Sequence, residues 1–162
     1  MKQDRTIADI KVAKAKFDSY GYNWDRDYFN NDNGGYLVID KQRIVHSELS
    51  KNERVKFKKE KEMSLVFSKN GYKIELLGEN PRIPSPDITI DGVLSDLKKL
   101  SSHNNIIKEA KDAIVNKGAK IVVFEFSENN KEIQTQLIKL ANSYNIHGYF
   151  YFSSDKSKIY KF

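Results

Sequence analysis

At 162 residues, with no cysteine and a formal net charge of +6, the chain has room for one domain with a real core, and it excludes disulfides and thiolate metal sites. No apolar run approaches the roughly 18 residues of a membrane span, and the N-terminus lacks the apolar stretch of a secretory leader. The positive balance favours a polyanionic partner, and the absence of cysteine fits a reducing compartment.

Thr6 to Tyr20 predicts an amphipathic helix, with Ile7, Ile10, Ala13 and Phe17 at helical spacing and Gly21 as its stop. Tyr22, Trp24, Tyr28 and Phe29 follow as an aromatic-rich segment. Such rings can stack on bases or pack over a core, and packing is the simpler reading. Asn30 to Gly35 is a loop of residues that tolerate positive φ. Residues 1–35 therefore read as a helix and aromatic loop packed on, or leading into, an α/β domain at 36–162. Tyr36 to Ile39 is a short strand, with a turn at Asp40-Lys41 and a second strand through Ile44 and Val45.

Residues 41–62 carry eight Lys or Arg against four Glu. The run is either a solvated helix face or a phosphate-facing one. A helix from about Leu49 to Asn70, with Gly71 at its end, places Phe57, Glu60, Met63, Ser64 and Phe67 on one face. Glu60 thus lies on the stripe that packs against the sheet, where a carboxylate needs a partner. Glu62 lies on the flank. Tyr72 to Leu77 is a strand, and Pro81, Pro84 and Pro86 then stiffen the approach to a hairpin, which predicts an edge or rim position.

That hairpin is the informative stretch. Asp91-Gly92 is a strong type I′ turn signal. Counting back from it opposes Ile90 to Val93, Thr89 to Leu94, Ile88 to Ser95 and Asp87 to Asp96, and period two puts Lys98 on the face of Asp96. Like charges directly opposed across strands are destabilising, so a divalent cation is a good reason for the pair. Beyond it, Ser101 or Ser102 caps a helix over 103–117, and Gly118 ends that helix. Lys120 to Phe126 reads as a strand covered on both faces. A helix from about Asn130 to Tyr144, a strand at Gly148 to Phe152 and a last strand from Lys158 to Phe162 complete an α/β fold with a mixed sheet flanked by helices.

His46, His103 and His147 have no metal-ligand spacing, and no phosphate-cradling glycine loop or nucleophile elbow occurs. What remains is Asp87, Asp96, Lys98 and a glutamate from the preceding helix. Oxygen ligands of this kind suit Mg²⁺ or Mn²⁺, and the lysine would position or deprotonate water and add positive charge at a phosphate.

Glu60 or Glu62, then Pro86-Asp87, then Asp96-Leu97-Lys98 resembles the pattern of the PD-(D/E)xK nuclease superfamily. The run from Lys58 to Phe126, including Asn70-Gly71-Tyr72, is similar to the C-terminal tRNA-nuclease toxin domains of contact-dependent inhibition proteins and to related phage and mobile-element domains. The resemblance implies a restriction-endonuclease-like core, with Asp87, Asp96 and the helical Glu on the metal, the Leu97 carbonyl beside them and Lys98 catalytic. It also implies tRNA or DNA as substrate, a cognate immunity protein as partner, and action in the cytoplasm after secretion or delivery within a larger protein. Many members carry Gln on the next helix; here Lys111 or Asn105 occupies that neighbourhood. Ser102, His103 and Asn105 are candidate substrate contacts, for which helix capping is an equal explanation. Two other readings stay open: a non-catalytic nucleic-acid-binding domain on the same fold, and a structural cluster in which Lys98 neutralises the acids.

Overall fold

A computed structural model describes residues 6–162; the first five residues of the N-terminal segment lie outside the described residues. Thr6 opens α1 (Ile7–Ser19) through a capping box with Asp9, and α1 buries Ala13 and Phe17. The aromatic segment becomes β1 (Trp24–Phe29), paired antiparallel with β2 (Tyr36–Asp40). Its rings pack: Trp24 and Phe29 join Phe17, Tyr36 and Val38, and Tyr28 packs on the main core. Tyr22 alone is fully outside, beneath the Lys41 ammonium.

Where a strand through Ile44 and Val45 is expected, the chain forms a helix, α2 (Lys41–Ser47). The Asp40 carboxylate caps it by accepting from the Gln42 N–H. Two adjacent β-branched residues carry no periodicity, and only the helix turns Arg43 and Ser47 inward while leaving Val45 in solvent. After it comes α3 (Lys51–Lys69), opened by Ser50, which accepts from the Glu53 N–H. Asn70 closes it, and Gly71 supplies the left-handed φ of +94° that turns the chain into β3 (Lys73–Leu76).

The hairpin β4 (Ile88–Ile90) and β5 (Val93–Leu100) has the counted register, with Asp91 and Gly92 both at positive φ. It lies in the middle of the sheet, not at a rim, because β3 pairs with β4 and β5 pairs with β6. The prolines stay in the loop ahead of β4, where their missing donors break no ladder.

The helix expected over 103–117 is resolved into a 3₁₀ turn (His103–Asn105), α4 (Ile106–Lys111) and a π turn (Asp112–Asn116). Then follow β6 (Ile121–Phe126), α5 (Lys131–Ser143), β7 (Gly148–Phe152) and β8 (Asp155–Lys161), the last beginning three residues earlier than Lys158.

All eight strands form one mixed sheet in chain order, β1 to β8, with β2/β3, β5/β6 and β6/β7 parallel. On one face, α3 packs Met63, Val66 and Phe67 over Leu37, Ile74, Ile88, Leu97 and Val123. On the opposite face, α4 and α5 pack Ile106, Ala110, Leu137 and Leu140 over Val122, Phe124 and Phe150. Val122 and Val123 belong to opposite layers, which is why β6 reads as continuous apolar sequence.

Candidate functional site

Asp87 lies one residue beyond the last paired rung, Ile88 against Ser95, and comes beside Asp96 and Leu97 of β5; Lys98 follows on β5, and α3 brings Glu60 toward Asp87. Asp87 and Asp96 are buried. The Asp87 Oδ2 accepts from the Leu97 N–H at 2.9 Å, which anchors the carboxylate to β5. Burial pushes the Asp87 carboxyl well above the usual carboxylate range, and the charges of Glu60 and Asp96 push it the same way.

Asp96 is met by two ammonium groups, Lys98 Nζ at 3.1 Å and Lys117 Nζ at 3.3 Å. The Oδ2 contacts are ionic without hydrogen-bond geometry, whereas Oδ1 accepts from Lys117. Lys98 also reaches Glu109 at 3.2 Å and Asp112 at 3.5 Å, one from α4 and one from the π turn. Burial alone would lower the Lys98 pKa, but Asp96 and Glu109 outweigh it and raise it above the ordinary lysine value. Lys98 is therefore a cation at neutral pH.

Glu60 is held from behind. Arg43 donates to its Oε2 from Nη2 at 3.0 Å and from Nε at 3.3 Å, while Oε1 is buried with no hydrogen-bond partner among the described residues. Carboxylate oxygens of Glu60, Glu79 and Asp87 lie within 4.8 Å of one another. Glu79, from the proline-rich loop, bonds to Lys56 and approaches His46 at 3.3 Å and Arg43 at 3.9 Å. Burial would raise its carboxyl pKa, but Lys56, Arg43 and His46 together hold it below the ordinary value. A cavity of about 490 Å³ opens onto this cluster, with Asp87, Glu79, Lys56 and Lys117 on its wall.

A hard cation suits this donor set. It has several carboxylates, one buried oxygen lacking a partner, and like charges close enough to shift Asp87. Glu60, Glu79 and Asp87 are the acids close enough together to hold one, with Asp96 beside Asp87, and no periodic signal marks Glu79 in the sequence.

The other sequence candidates fall elsewhere. Glu62 is exposed on α3, where its charge is felt by Tyr151. Ser102 caps the 3₁₀ turn by accepting from the Asn104 N–H, and His103 and Asn105 lie in that turn. Lys111 sits 4.3 Å over the Tyr144 ring, and Glu109 and Asp112 are the residues of this segment that meet Lys98. The sequence reading missed Arg43, Glu79, Glu109, Asp112 and Lys117. Only the fold brings them in, although the basic run at 41–62 was a signal for Arg43 and Lys56.

Fold and site together define an α/β domain whose mixed sheet carries a buried acidic cluster flanked by lysines. No protein-family model and no curated protein matches the sequence. The chain is similar in fold to a chain of the solved CdiA-CT/CdiI toxin and immunity complex from Burkholderia pseudomallei. The TM-score is 0.53 at 19% identity, over 71% of this chain and 90% of that one.

Proposed function

We propose that this chain is a divalent-metal-dependent nuclease of the PD-(D/E)xK kind, cutting RNA, with tRNA as the favoured substrate, and serving as a toxin domain. The observation that carries this reading is the approach of the buried Asp87 to both Glu60 and Asp96, with Lys98 on Asp96 and Glu60 Oε1 left without a partner among the described residues. A bound Mg²⁺ or Mn²⁺ would relieve the carboxylate repulsion and polarise a phosphoryl oxygen.

The chain's own residues divide the remaining work. Glu60, Asp87 and Asp96 hold the cation, with the Leu97 carbonyl as the adjacent backbone ligand, and Arg43 orients Glu60. Lys98, beside Asp96, positions the attacking water and stabilises charge developing on the phosphate. Lys117, on the cavity wall, is the second cation a phosphate would meet. The net charge of +6 draws a polyanion toward the domain.

The toxin reading is supported by the fold shared with a chain of a toxin and immunity complex. It entails a cognate immunity protein and delivery within a larger protein to act in a target cell's cytoplasm. The alternatives are a nucleic-acid-binding domain without catalysis and a structural cluster, the latter favoured by the three carboxylates that meet Lys98. Incubating the purified chain with total tRNA and with plasmid DNA, with Mg²⁺ or Mn²⁺ and with a chelator, decides between them. Metal-dependent cutting of tRNA is the expected result. Cutting of DNA alone makes the chain a DNA endonuclease, and cutting of neither leaves the binding domain.

A further inference from the structure

A second cavity, of about 670 Å³, lies between α1 and the sheet. Strand register places Tyr36, Lys73, Glu75 and Thr89 on its floor, and α1 supplies Lys16 and Tyr20 as its wall. We propose that this cavity binds one nucleotide of the substrate strand, a guanine on Glu75 with the phosphate on Lys16 and Lys73. The inference rests on the nucleic-acid reading of the neighbouring site.

Three observations carry it. First, Glu75 is presented rather than buried. Tyr20 Oη donates to its Oε2 at 2.8 Å and Thr89 Oγ1 to its Oε1 at 2.7 Å, so each oxygen is fixed and keeps a free lone pair. Two adjacent acceptors in one plane match the adjacent N1–H and N2–H donors of guanine. No other base offers that pair; uracil has a single ring N–H flanked by acceptors, which a carboxylate repels.

Second, the cations are uncommitted. Neither Lys16 nor Lys73 forms an ion pair among the described residues, and Lys16 Nζ lies 5.3 Å from the centre of the Tyr20 ring. A phosphate there would meet two ammonium groups while its base lies along the ring of Tyr20, a sequence-tolerant contact to which Glu75 adds the choice of base. The volume lies within the range of ligand pockets and accommodates a single nucleotide.

Third, the cavity lies a short step along the hairpin from the candidate site. Thr89, on the cavity floor, stands two residues along the chain from Asp87, a separation of about 7 Å. Leu94, opposite Thr89, precedes Asp96 by the same two residues. A strand whose phosphate sits at Asp87 and Asp96 would thus lay a neighbouring nucleotide over Thr89 and Glu75.

The test is equilibrium binding of 5′-GMP, 5′-UMP and inorganic phosphate to the full chain in chelator, where no cleavage occurs. GMP should bind roughly tenfold more tightly than UMP, and phosphate most weakly. Glu75→Gln should abolish the preference for GMP. Lys16→Ala, at an exposed helix position that leaves the fold intact, should weaken every monophosphate and flatten the salt dependence.

Absence of GMP binding at millimolar concentration overturns the proposal, as does binding that both variants leave unchanged. A guanine-containing trinucleotide that binds more tightly than GMP supports a strand unit; equal affinity overturns the strand assignment in favour of a free nucleotide. Guanine binding through Glu75 in a chain that cuts no nucleic acid supports this subsite while removing the nuclease reading. Cleavage with guanine binding indifferent to Glu75 does the reverse.

Discussion

Arg43 Nη2 lies 3.0 Å from Glu60 Oε2, and the two side chains are 0% and 1% exposed. One comes from α2 and the other from α3, so a buried ion pair fastens the helix pair at the rim of the acidic cluster. Phe57 covers the guanidinium, with Arg43 Cζ 5.2 Å from its ring centre. This pair explains how a carboxylate can occupy the packing stripe of α3 without an apolar neighbourhood expelling it.

Truncating Arg43 should therefore cost more than its lost contacts. Arg43→Ala leaves the Glu60 charge buried and unpaired, and the expected loss is about 3–5 kcal/mol by urea denaturation. The double variant Arg43→Ala with Glu60→Gln should recover part of it. A single-variant loss under 1 kcal/mol would show that water reaches the pair.

Metal should stabilise the wild type through the acidic cluster. Titrating Mn²⁺ or Mg²⁺ should raise its melting temperature, because a ligand that binds only the folded state adds stability. Asp87→Asn should blunt the rise. Equal rises in both proteins would place the cation elsewhere.

Lys98→Ala should leave the fold standing, since Lys117 still pairs with the buried Asp96. Removing its charge should lower the rate of tRNA cleavage by about 10²–10³. Activity within a few-fold of wild type would assign Lys98 to neutralising Asp96, Glu109 and Asp112.

A pH signature is expected from Glu125, on the α3 face of the sheet and away from the acidic cluster. Burial would raise its pKa, but Ser153 and Tyr151, which each donate to it at 2.6 Å, and Lys99 at 3.4 Å bring it below the ordinary value. A depressed folded-state pKa contributes stability above the unfolded value of about 4.3, and that stability is lost as pH falls through the folded value. Glu125→Gln should be less stable than wild type by about 1–3 kcal/mol at pH 7. The gap should close as the pH is lowered below about 4.3 and through the folded value. A gap that is constant with pH would mean the amide loss is steric.

Much of the fold was legible because its signals are local. The Asp91-Gly92 turn sets the register of β4 and β5 through the φ of two residues, so the pairing of Ile88 with Ser95, one step from Asp87 and Asp96, could be counted from the chain alone. The helical period of α3 placed Glu60 inward and Glu62 outward for the same reason. The failures were also local in origin. Ile44 and Val45 gave no period, and prolines ahead of β4 suggested a rim although the strand behind them is interior.

Tertiary structure decided who meets whom at the site. Arg43 stands 17 residues from Glu60, and Lys117 stands 21 from Asp96. No period links such positions; the α2–α3 turn and the β5–β6 crossover bring them together. The same holds for Glu75, an ordinary alternating residue of β3 until α1 lays Tyr20 across it. Sequence by itself determined which residues each strand and helix would present, because side-chain direction follows the backbone period. Which presented charges are paired, buried or left open depended on packing between distant elements, where burial and Coulomb attraction act on neighbours that the chain order does not reveal.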